Sequence, residues 1–368
     1  MRSLRFVSFR IRLNDRLHAV VMSAPLGPHY RVGIIGCGSV ADKIEDAARG
    51  APGYLLFPAS HASIYERHPR TTLVAAADTN PDRLAAFGKR HGITALYNDH
   101  REMMDRESLD IVSIATNTSS HREVTLDVAR HSVKGIFLEK PVAHALGEAD
   151  EMLAATTAAG ISVVVNHYRT FDPYFRAAFK LIHDGQIGEL EGVMATWVEG
   201  FAQGAPHLWD LLRVATGSHV AWVSCHLDED PALLDPGGDA YLVYKSGVRV
   251  HVHAPRASAT PTSITFIGGD GFVRMGAFRP EFWRFERSGE RRIPVEWPFP
   301  GRHDGKSGMY AALEELVAAM ESGQRPASTL ADGREALEVT IALLIAGRSA
   351  ARVPLPIVDT DYIAESYL

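Results

Sequence analysis

Short, almost wholly apolar runs alternate with longer helical patterns through the first half of this chain. Such runs are rich in β-branched residues and have no polar face, which is typical of strands buried on both sides of a parallel sheet. The predicted strands are residues 31–35, 73–77, 111–115, 136–138 and 161–165. Their regular alternation with helices predicts a doubly wound α/β domain built on a parallel sheet.

Capping residues mark helix starts at two places in this half. Asn80 precedes a proline and an acid, the usual order at the first turn of a helix. Ser120 and Glu123 have the spacing of a capping box ahead of residues 124–129. On this interpretation His121 lies on the exposed first turn of its helix.

The pattern changes after about residue 166. Runs that alternate apolar with polar residues are separated there by short turns rich in glycine and aspartate. Alternation with short turns indicates an antiparallel sheet with one covered face. The predicted strands are 191–198, 240–244, 248–253 and 263–267, and the predicted closing helices are 307–322 and 332–350. We therefore expect an α+β domain with an open, mostly antiparallel sheet.

Composition excludes several classes of protein. Lys and Arg number 38 against 44 Asp and Glu, a net charge of −6 without any basic block, so we expect no nucleic-acid partner. No apolar run reaches the ~20 residues of a membrane-spanning helix, so we expect no membrane partner. The only cysteines, Cys37 and Cys225, are too few for a disulfide framework and favour a reducing, cytoplasmic location.

Residues 1–29 contain several arginines, but their apolar stretch is too short for the core of a signal peptide. We expect a flexible N-terminal arm here, with structured chain from Tyr30 onward. The alternative is that translation starts at Met22.

A glycine-rich turn follows the first predicted strand. Gly36, Gly38 and Ala41 form a G-x-G-x-x-A pattern. The first glycine permits a tight turn, the second lets the backbone approach a diphosphate, and the small residue lets helix and strand pack closely. We expect a dinucleotide to bind here, with its diphosphate on Gly36, Gly38, Ser39 and Val40 at the start of the helix.

Asp78 follows the second predicted strand, where an acid hydrogen-bonds the adenosine ribose. Because an acid repels a 2′-phosphate, NAD is expected rather than NADP, although Arg83 nearby keeps NADP as an alternative. Asp78 lies further from the glycines than the usual ~20 residues. We attribute the excess to an insertion over 42–58, after which a helix restarts at 60–62. The insertion is either part of a lid or subunit contact, or a tolerated surface loop.

Four motifs together carry a resemblance to a known family. They are the glycine turn 36–41, the strand DIVSIAT at 110–116, EKP at 139–141 and HLWDLLR at 207–213. In their order and spacing the chain resembles the Gfo/Idh/MocA oxidoreductases, the family of glucose–fructose oxidoreductase and inositol dehydrogenase. The resemblance covers nearly everything from residue 30 to residue 356.

This resemblance implies a Rossmann dinucleotide-binding domain over 30–166 and an α+β domain for substrate binding and oligomerisation over 167–368. It implies hydride transfer between NAD(H) or NADP(H) and a secondary alcohol or ketone carbon. The implied substrate is a polyol, sugar, sugar derivative or cyclitol held between the domains. Homodimers or homotetramers built through the open face of the sheet are also implied.

Lys140 is expected at the carboxyl end of a strand, where doubly wound sheets bind their ligands. Oxidation of a secondary alcohol needs a group that handles the hydroxyl proton as the hydride leaves, and Lys140 is the candidate. The resemblance implies that His207 acts with it on the substrate oxygen. Glu139 is expected to pair with a backbone or ribose group, and Asp210 either contacts substrate or has a structural role.

Tyr168 and Arg169 lie at the crossover between the predicted domains, where the resemblance implies residues that line the cleft. They bind substrate hydroxyls on this interpretation and form a packed hinge on the alternative. Thr116 and Asn117 are expected to approach the nicotinamide side of the cofactor.

One position departs from the family. Relatives commonly carry an aspartate four residues before the histidine, and here Gln203, which cannot take a proton, is the candidate substrate contact at that position. Either Lys140 and His207 suffice for acid–base chemistry, or Glu199 or Asp210 substitutes, or the activity is altered or lost. The competing hypothesis is therefore a dinucleotide-binding regulatory or scaffold protein of the same fold.

Other patterns point to no further chemistry. His251 and His253 share one face of a predicted strand, but no third ligand is recognisable, so no metal site is expected. Nothing resembles a phosphate-binding lysine motif or a nucleophile elbow.

Overall fold

The computed structural model describes residues 27–48, 58–198, 200–228, 235–254, 262–276, 279–302 and 305–364. Most of the predicted N-terminal arm, residues 1–26, lies outside this range. The end of the arm contacts the first half of the chain. Arg70 Nε donates to the carbonyl oxygen of Pro28 over 3.1 Å, and His29 Nε2 lies 2.6 Å from Thr72 Oγ1.

A parallel sheet forms the first half. Its strands are β1 (Tyr30–Ile35), β2 (Thr71–Ala77), β3 (Ala95–Tyr97), β4 (Ile111–Ile114), β5 (Gly135–Leu138) and β6 (Ser162–Val165). They lie in the order β3-β2-β1-β4-β5-β6, which is the order of the dinucleotide-binding doubly wound fold. The α/β prediction and its strands are confirmed, and β3 is an additional edge strand too short to have left a pattern.

Helices cover both faces of this sheet. They are α1 (Ile44–Ala48), which continues from a π-helical turn (Ser39–Lys43), α2 (His61–Arg67), α3 (Pro81–His91), α4 (His100–Arg106), α5 (Thr118–Val128) and α6 (Leu146–Ala158). Helix α5 begins two residues earlier than the predicted cap at Ser120, because Asn117 takes the N-cap position. His121 is consequently 1% exposed, so its predicted surface position was wrong.

Glu45 closes the predicted insertion. It lies in α1, and its Oε1 accepts hydrogen bonds from the amides of Ala59 and Ser60 over 2.6 and 3.2 Å. Ser60 is the N-cap of α2, so the predicted restart of the helix is confirmed. Residues 49–57 of the insertion lie outside the described residues.

A nine-stranded sheet forms the second half. Its strands are β7 (Leu190–Thr196), β8 (Val220–Leu227), β9 (Gly238–Tyr244), β10 (Arg249–Ala254), β11 (Ser263–Gly268), β12 (Gly271–Gly276), β13 (Glu281–Ser288), β14 (Arg291–Trp297) and β15 (Val353–Pro354). The order is β14-β13-β12-β11-β7-β10-β9-β8-β15, and every described pair is antiparallel except β7 with β10. The prediction of a mostly antiparallel sheet is confirmed.

One face of this sheet is covered and the other is open. In β10, for example, Val250 and Val252 are buried while His251 and His253 are exposed. The remaining helices are α7 (Tyr168–Phe171), α8 (Pro173–His183), α9 (Pro206–Thr216), α10 (Gly308–Ser322) and α11 (Leu330–Ser349). No helix among the described residues has the length and apolar character that crossing a membrane requires.

Helix α10 packs on the first sheet although it follows the second sheet in sequence. Leu313 and Leu316 are fully buried in one core with Phe137 of β5 and Val164 of β6. The proposed division at residue 166 separates the two sheets, while this helix crosses it.

Candidate active site

The carboxyl ends of the parallel strands meet at one edge of the first sheet. The glycine turn follows β1, Asp78 follows β2, Thr116 follows β4 and Lys140 follows β5. Since ligands of doubly wound sheets bind along this edge, the topology brings the predicted cofactor residues and the candidate lysine to one side of the molecule.

Gly36 and Gly38 are glycines for different reasons. Gly36 has φ of 93°, and a Cβ there would lie 2.6 Å from the carbonyl oxygen of Ala115, so the fold itself requires glycine. Gly38 has φ of −78°, and a Cβ there would meet no atom of the described residues within 4 Å. Because the fold makes no demand for glycine at Gly38, the open space beside it fits the close approach of a cofactor diphosphate.

Asp78 is held against the glycine turn. Its Oδ2 accepts from the amide of Cys37 over 2.7 Å, and its Oδ1 accepts from the amide of Asn80 over 2.7 Å. The Arg83 guanidinium lies 3.5 Å from Oδ1. A carboxylate can accept further hydrogen bonds at each oxygen, so this position fits the ribose of NAD.

The other candidate cofactor residues lie at the same strand ends. Ser39 is exposed and Val40 half-buried in the π-helical turn, whereas Thr116 is half-buried and Asn117 is exposed beside α5. A Cβ on Gly36 would lie 2.8 Å from the Thr116 amide nitrogen, which shows how closely the two turns approach.

His121 connects the turn after β4 to the turn after β5. Its Nδ1 lies 2.9 Å from the carbonyl oxygen of Pro141, and its Nε2 lies 3.1 Å from that of Thr116. The Lys140–Pro141 peptide bond is cis. Through His121, the predicted nicotinamide side of the cofactor site is therefore packed directly against the lysine turn.

Glu139 lies in a buried network beneath Lys140. Its Oε1 accepts from His61 Nε2 over 2.9 Å and from Asn166 Nδ2 over 2.5 Å. Its Oε2 accepts from the amide of Lys140 over 3.3 Å. Burial on its own would raise the pKa of Glu139, but hydrogen bonding and charge from His61, followed by the charge of Lys140, lower it to about 2. Glu139 is 6% exposed and pairs with the backbone amide of Lys140, one of the two partners expected for it, so it holds the lysine turn.

The lysine amine reaches the turn that precedes α9. Lys140 Nζ donates to the carbonyl oxygen of Gln203 over 2.9 Å, and the amide of Gln203 donates to Asp235 Oδ2 over 3.1 Å. Asp235 Oδ1 also accepts from the amide of Ala202 over 2.6 Å. Gln203 thus presents its main chain to the lysine, and Asp235, which the sequence did not reveal, anchors that turn. Glu199 lies outside the described residues.

His207 lies in the first turn of α9 and is 6% exposed. Its ring centroid is 4.8 Å from that of Tyr168 and 5.7 Å from that of His167. Burial, reinforced by the positive charge of Lys140, lowers the pKa of His207 well below its usual value, so the imidazole is neutral. Its Nδ1 is buried and has no hydrogen-bond partner among the described residues. An orphaned nitrogen of this kind is suited to a hydrogen bond from a ligand.

Asp210 does not contribute to the cleft. Its Oδ2 accepts from Thr170 Oγ1 over 2.5 Å, and its Oδ1 accepts from Arg213 Nε and Nη2 over 3.1 and 2.9 Å. The residue is 1% exposed. We therefore favour a structural role for Asp210, the second of the two roles expected for it.

Tyr168 and Arg169 flank the histidine. Both are half-buried, and the Arg169 guanidinium carbon lies 5.4 Å from the Tyr168 ring centroid and 5.0 Å from that of Trp197. Neither Trp197 nor His61 was predicted, because each reaches the site through contacts between residues far apart in sequence. The residues that the structure gathers in the cleft are Lys140, Tyr168, Arg169, Gln203 and His207.

Comparisons with known proteins identify relatives of this chain. Residues 30–167 match the model of an oxidoreductase family with an NAD-binding Rossmann fold. The chain is 24% identical over 362 residues to D-apiose dehydrogenase of Paraburkholderia graminis, an alignment that covers 90% of this chain and 91% of that protein. It is 26% identical over 318 residues to the NAD⁺-dependent scyllo-inositol 2-dehydrogenase of Bacillus subtilis, covering 78% of this chain and 90% of that protein.

The fold is also found in solved structures. An NAD binding oxidoreductase from Klebsiella pneumoniae is similar with a TM-score of 0.73 at 19% identity, covering 90% of this chain and 100% of that chain. This likeness extends through both sheets. Together with the motif order, the match of residues 30–167 agrees with the resemblance to the Gfo/Idh/MocA oxidoreductases and identifies an NAD-binding Rossmann fold in the first half of the chain.

Proposed function

We propose that this protein is an NAD-dependent dehydrogenase or ketoreductase. It transfers a hydride between nicotinamide and the carbinol or ketone carbon of a sugar, sugar derivative or cyclitol. The observation that carries the proposal is that Lys140, from the sheet edge that also holds the glycine turn, reaches the turn before α9, close enough to the neutral His207 for its charge to lower the pKa of that imidazole. Relatives named as sugar and inositol dehydrogenases support it. Because an acid–base pair is present, we prefer an enzyme to the regulatory or scaffold alternative.

NAD, when bound, accepts the hydride at its nicotinamide ring. The open space beside Gly38 would receive the diphosphate, and the carboxylate of Asp78 would accept hydrogen bonds from the adenosine ribose. The residues that hold the cofactor in this proposal are Gly36, Gly38, Ser39, Val40, Asp78, Thr116 and Asn117.

Oxidation of a carbinol removes a hydride from carbon and a proton from oxygen, and leaves a ketone. The ammonium group of Lys140 has three N–H donors, so while one bonds the carbonyl of Gln203 another is able to bond the substrate oxygen. The neutral imidazole of His207 accepts the hydroxyl proton. The two residues act on the same oxygen, and reduction follows the reverse course.

A substrate screen tests this proposal. The protein is mixed with NAD or NADP and a panel of polyols, sugars and cyclitols, and nicotinamide absorbance is followed. We expect turnover with at least one of them, and we expect Lys140→Ala to abolish turnover while its affinity for NAD, measured by calorimetry, stays near that of the wild type. Undiminished turnover in this variant would contradict the role of the lysine. A panel without any turnover would favour the regulatory alternative.

Asp78 supports a preference for NAD over NADP, because a second negative charge beside its carboxylate is repelled. Calorimetry with both cofactors measures this preference. We expect Asp78→Asn to weaken NAD binding more than NADP binding. Equal affinities in the wild type would instead indicate that Arg83 accommodates the 2′-phosphate.

Self-association through the open face of the nine-stranded sheet is also part of the proposal. This face carries Met194, which is 52% exposed, together with Tyr241, Phe272 and Trp283. Burying such side chains against a second copy removes apolar surface from water. We propose a homodimer or homotetramer. Light scattering of wild type and Met194→Glu tests it, and the variant is expected to have a lower molar mass.

We also propose a cytoplasmic location, inferred from the two free cysteines and tested by cell fractionation.

A further inference from the structure

Arg169 is a half-buried cation that forms no ion pair with a carboxylate of the described residues. Its guanidinium lies between two aromatic rings, 5.4 Å from the centroid of Tyr168 and 5.0 Å from that of Trp197. Its Nε is buried and has no hydrogen-bond partner in the described part of the chain, and the indole Nε1 of Trp197 is buried and unpartnered as well. A buried donor on a charged group is costly unless something accepts its hydrogen bond.

Comparably buried arginines elsewhere in the protein are paired with carboxylates. Arg213 lies 2.9 Å from Asp210 and 3.1 Å from Asp332. Arg334 lies 2.5 Å from Asp150. Arg169 has no such carboxylate within ion-pair distance in the described residues, so its buried Nε is available to an acceptor on a ligand.

The surroundings of Arg169 carry an excess of positive charge. Lys140 Nζ has a carbonyl oxygen, that of Gln203, as its hydrogen-bond partner in the described residues. After burial, the pKa of His207 is lowered by the positive charges of Lys140 and Arg169. The nearby carboxylates already have partners within the protein. Glu139 accepts from His61, Asp210 pairs with Arg213, and Asp235 accepts from the amides of Ala202 and Gln203.

We infer that the substrate is an acidic polyol or sugar, of the uronic or aldonic acid class, whose carboxylate pairs with Arg169 while its reacting hydroxyl lies at Lys140 and His207. This inference rests on the proposed function and specifies its substrate class. A guanidinium offers two parallel N–H donors that match the two oxygens of a carboxylate. A phosphate dianion carries nearly twice the charge, which one arginine leaves partly uncompensated.

Paired substrates test the inference in the NAD-loaded protein. D-galacturonate is compared with D-galactose, and D-gluconate with D-glucitol, by kcat/KM, while D-galactose 6-phosphate tests a phosphate. We expect the wild type to prefer the acid of each pair. We expect Arg169→Gln to reduce that preference by about 100-fold, the effect of losing charge-assisted bidentate hydrogen bonds, and Arg169→Lys to restore part of it.

Arg284→Gln is the matched control. Arg284 also lies over an indole ring, 5.0 Å from the Trp297 centroid, but on the nine-stranded sheet away from the cleft. We expect this variant to keep the wild-type preference. A wild type that favours the neutral member of each pair, or the phosphate, would overturn the inference, as would an acid preference that Arg169→Gln leaves intact.

Binding separates this inference from the proposed function. Calorimetry measures the affinity of the NADH-loaded protein for D-galacturonate and D-galactose without any turnover. Selective binding of the acid that Arg169→Gln abolishes supports the inference even if no substrate is oxidised, in which case the proposed function alone fails. Turnover of neutral polyols together with no measurable binding of either acid would leave the proposed function standing and overturn the inference.

Discussion

His121, His167 and His207 are each buried, and burial lowers the pKa of all three imidazoles. In the unfolded chain an imidazole takes up a proton near pH ~6.5. In the folded protein these three remain neutral to lower pH. Folding therefore competes with protonation, and the unfolded state binds more protons while the pH lies between the lowered folded pKa and the unfolded pKa.

We predict that the free energy of unfolding falls as the pH is lowered from about 7 to about 5. Urea unfolding at several pH values measures this slope. His207→Asn removes one of the buried imidazoles, so the slope should be smaller in this variant. A stability that stays constant or rises over the same interval would contradict the neutral state assigned to these side chains.

Glu139→Gln tests the carboxylate beneath Lys140. The amide keeps one oxygen for His61 but turns an N–H₂ group toward the amide of Lys140, so we expect a loss of about 1–3 kcal/mol in the free energy of unfolding at neutral pH. The pKa of Glu139 is lowered from 4.5 to about 2. The contribution of the Glu139 carboxylate to the free energy of unfolding is therefore complete above about pH 5. It declines as the pH falls below the pKa that Glu139 has in the unfolded chain.

Chemical unfolding of wild type and Glu139→Gln between neutral pH and about pH 4 measures both effects. The gap between the two proteins should be constant above about pH 5 and narrow below it. Glu45→Gln is a useful comparison, since it alters a carboxylate that closes the insertion rather than the lysine turn. Equal stability of wild type and Glu139→Gln at neutral pH would refute the supporting role of this residue.

At the scale of elements, the turn between β1 and the π-helical segment combines a constraint from folding with one from binding. Position 36 requires glycine because of its positive φ and the close carbonyl group of Ala115. Gly38 has an ordinary backbone conformation and open space beside it. The G-x-G-x-x-A pattern is visible in sequence, but the division of roles between its glycines is visible only in three dimensions.

Gly36→Ala and Gly38→Ala form a matched pair that separates these roles. We expect Gly36→Ala to lower the free energy of unfolding by about 2 kcal/mol, because of backbone strain and the short contact. Gly38→Ala should leave stability nearly unchanged but weaken NAD binding by roughly 10-fold or more, since its methyl group occupies the space of the diphosphate. Thermal unfolding and calorimetry measure the two effects. Normal NAD affinity in Gly38→Ala would rule out this position for the diphosphate.

At the scale of the whole molecule, α10 couples the two halves of the chain. Leu316 is fully buried in the core of the first sheet, and a Cβ on Gly135 of β5 would lie 3.2 Å from its Cδ1. The NAD-binding half thus depends for its packing on a helix that follows the second sheet. A domain boundary predicted from the change in strand pattern separates the two sheets. It does not show that α10 packs back on the first sheet.

We predict that Leu316→Ala destabilises the NAD-binding half by about 2–5 kcal/mol, the usual cost of a cavity at a buried leucine. Thermal unfolding with and without NAD measures this loss of stability. The unfolding transition that NAD shifts to higher temperature belongs to the NAD-binding half. Ile293→Ala, at a residue that is 43% exposed on β14, is the control and should change stability by no more than ~0.5 kcal/mol. An unchanged NAD-dependent transition in Leu316→Ala would mean that the first sheet folds independently of α10.

The sequence was sufficient for the elements and for the residues that lie within recognisable motifs. The strands around β1 and the glycine turn were predicted because each depends on periodicity or spacing over a few neighbouring residues. The role of His207 came from the family resemblance, and the roles of His207 and Lys140 stay predictions. Glu139 and Asp210 were each left with two alternatives, and the structure shows Glu139 bonded to a backbone amide and Asp210 bonded to Arg213. Whether a carboxylate faces a ligand or a buried partner depends on residues that are distant in the chain.

By itself, the sequence determined a parallel α/β half that binds a dinucleotide and a mostly antiparallel half, because hydrophobic period and turn chemistry are local properties. Only the tertiary structure decided that His61 supports Glu139, that Trp197 stacks on Arg169, and that α10 returns to the first sheet. These contacts join residues widely separated in sequence, and they form because packing and charge pairing are optimised over the whole core. No short stretch of sequence carries a signal for them.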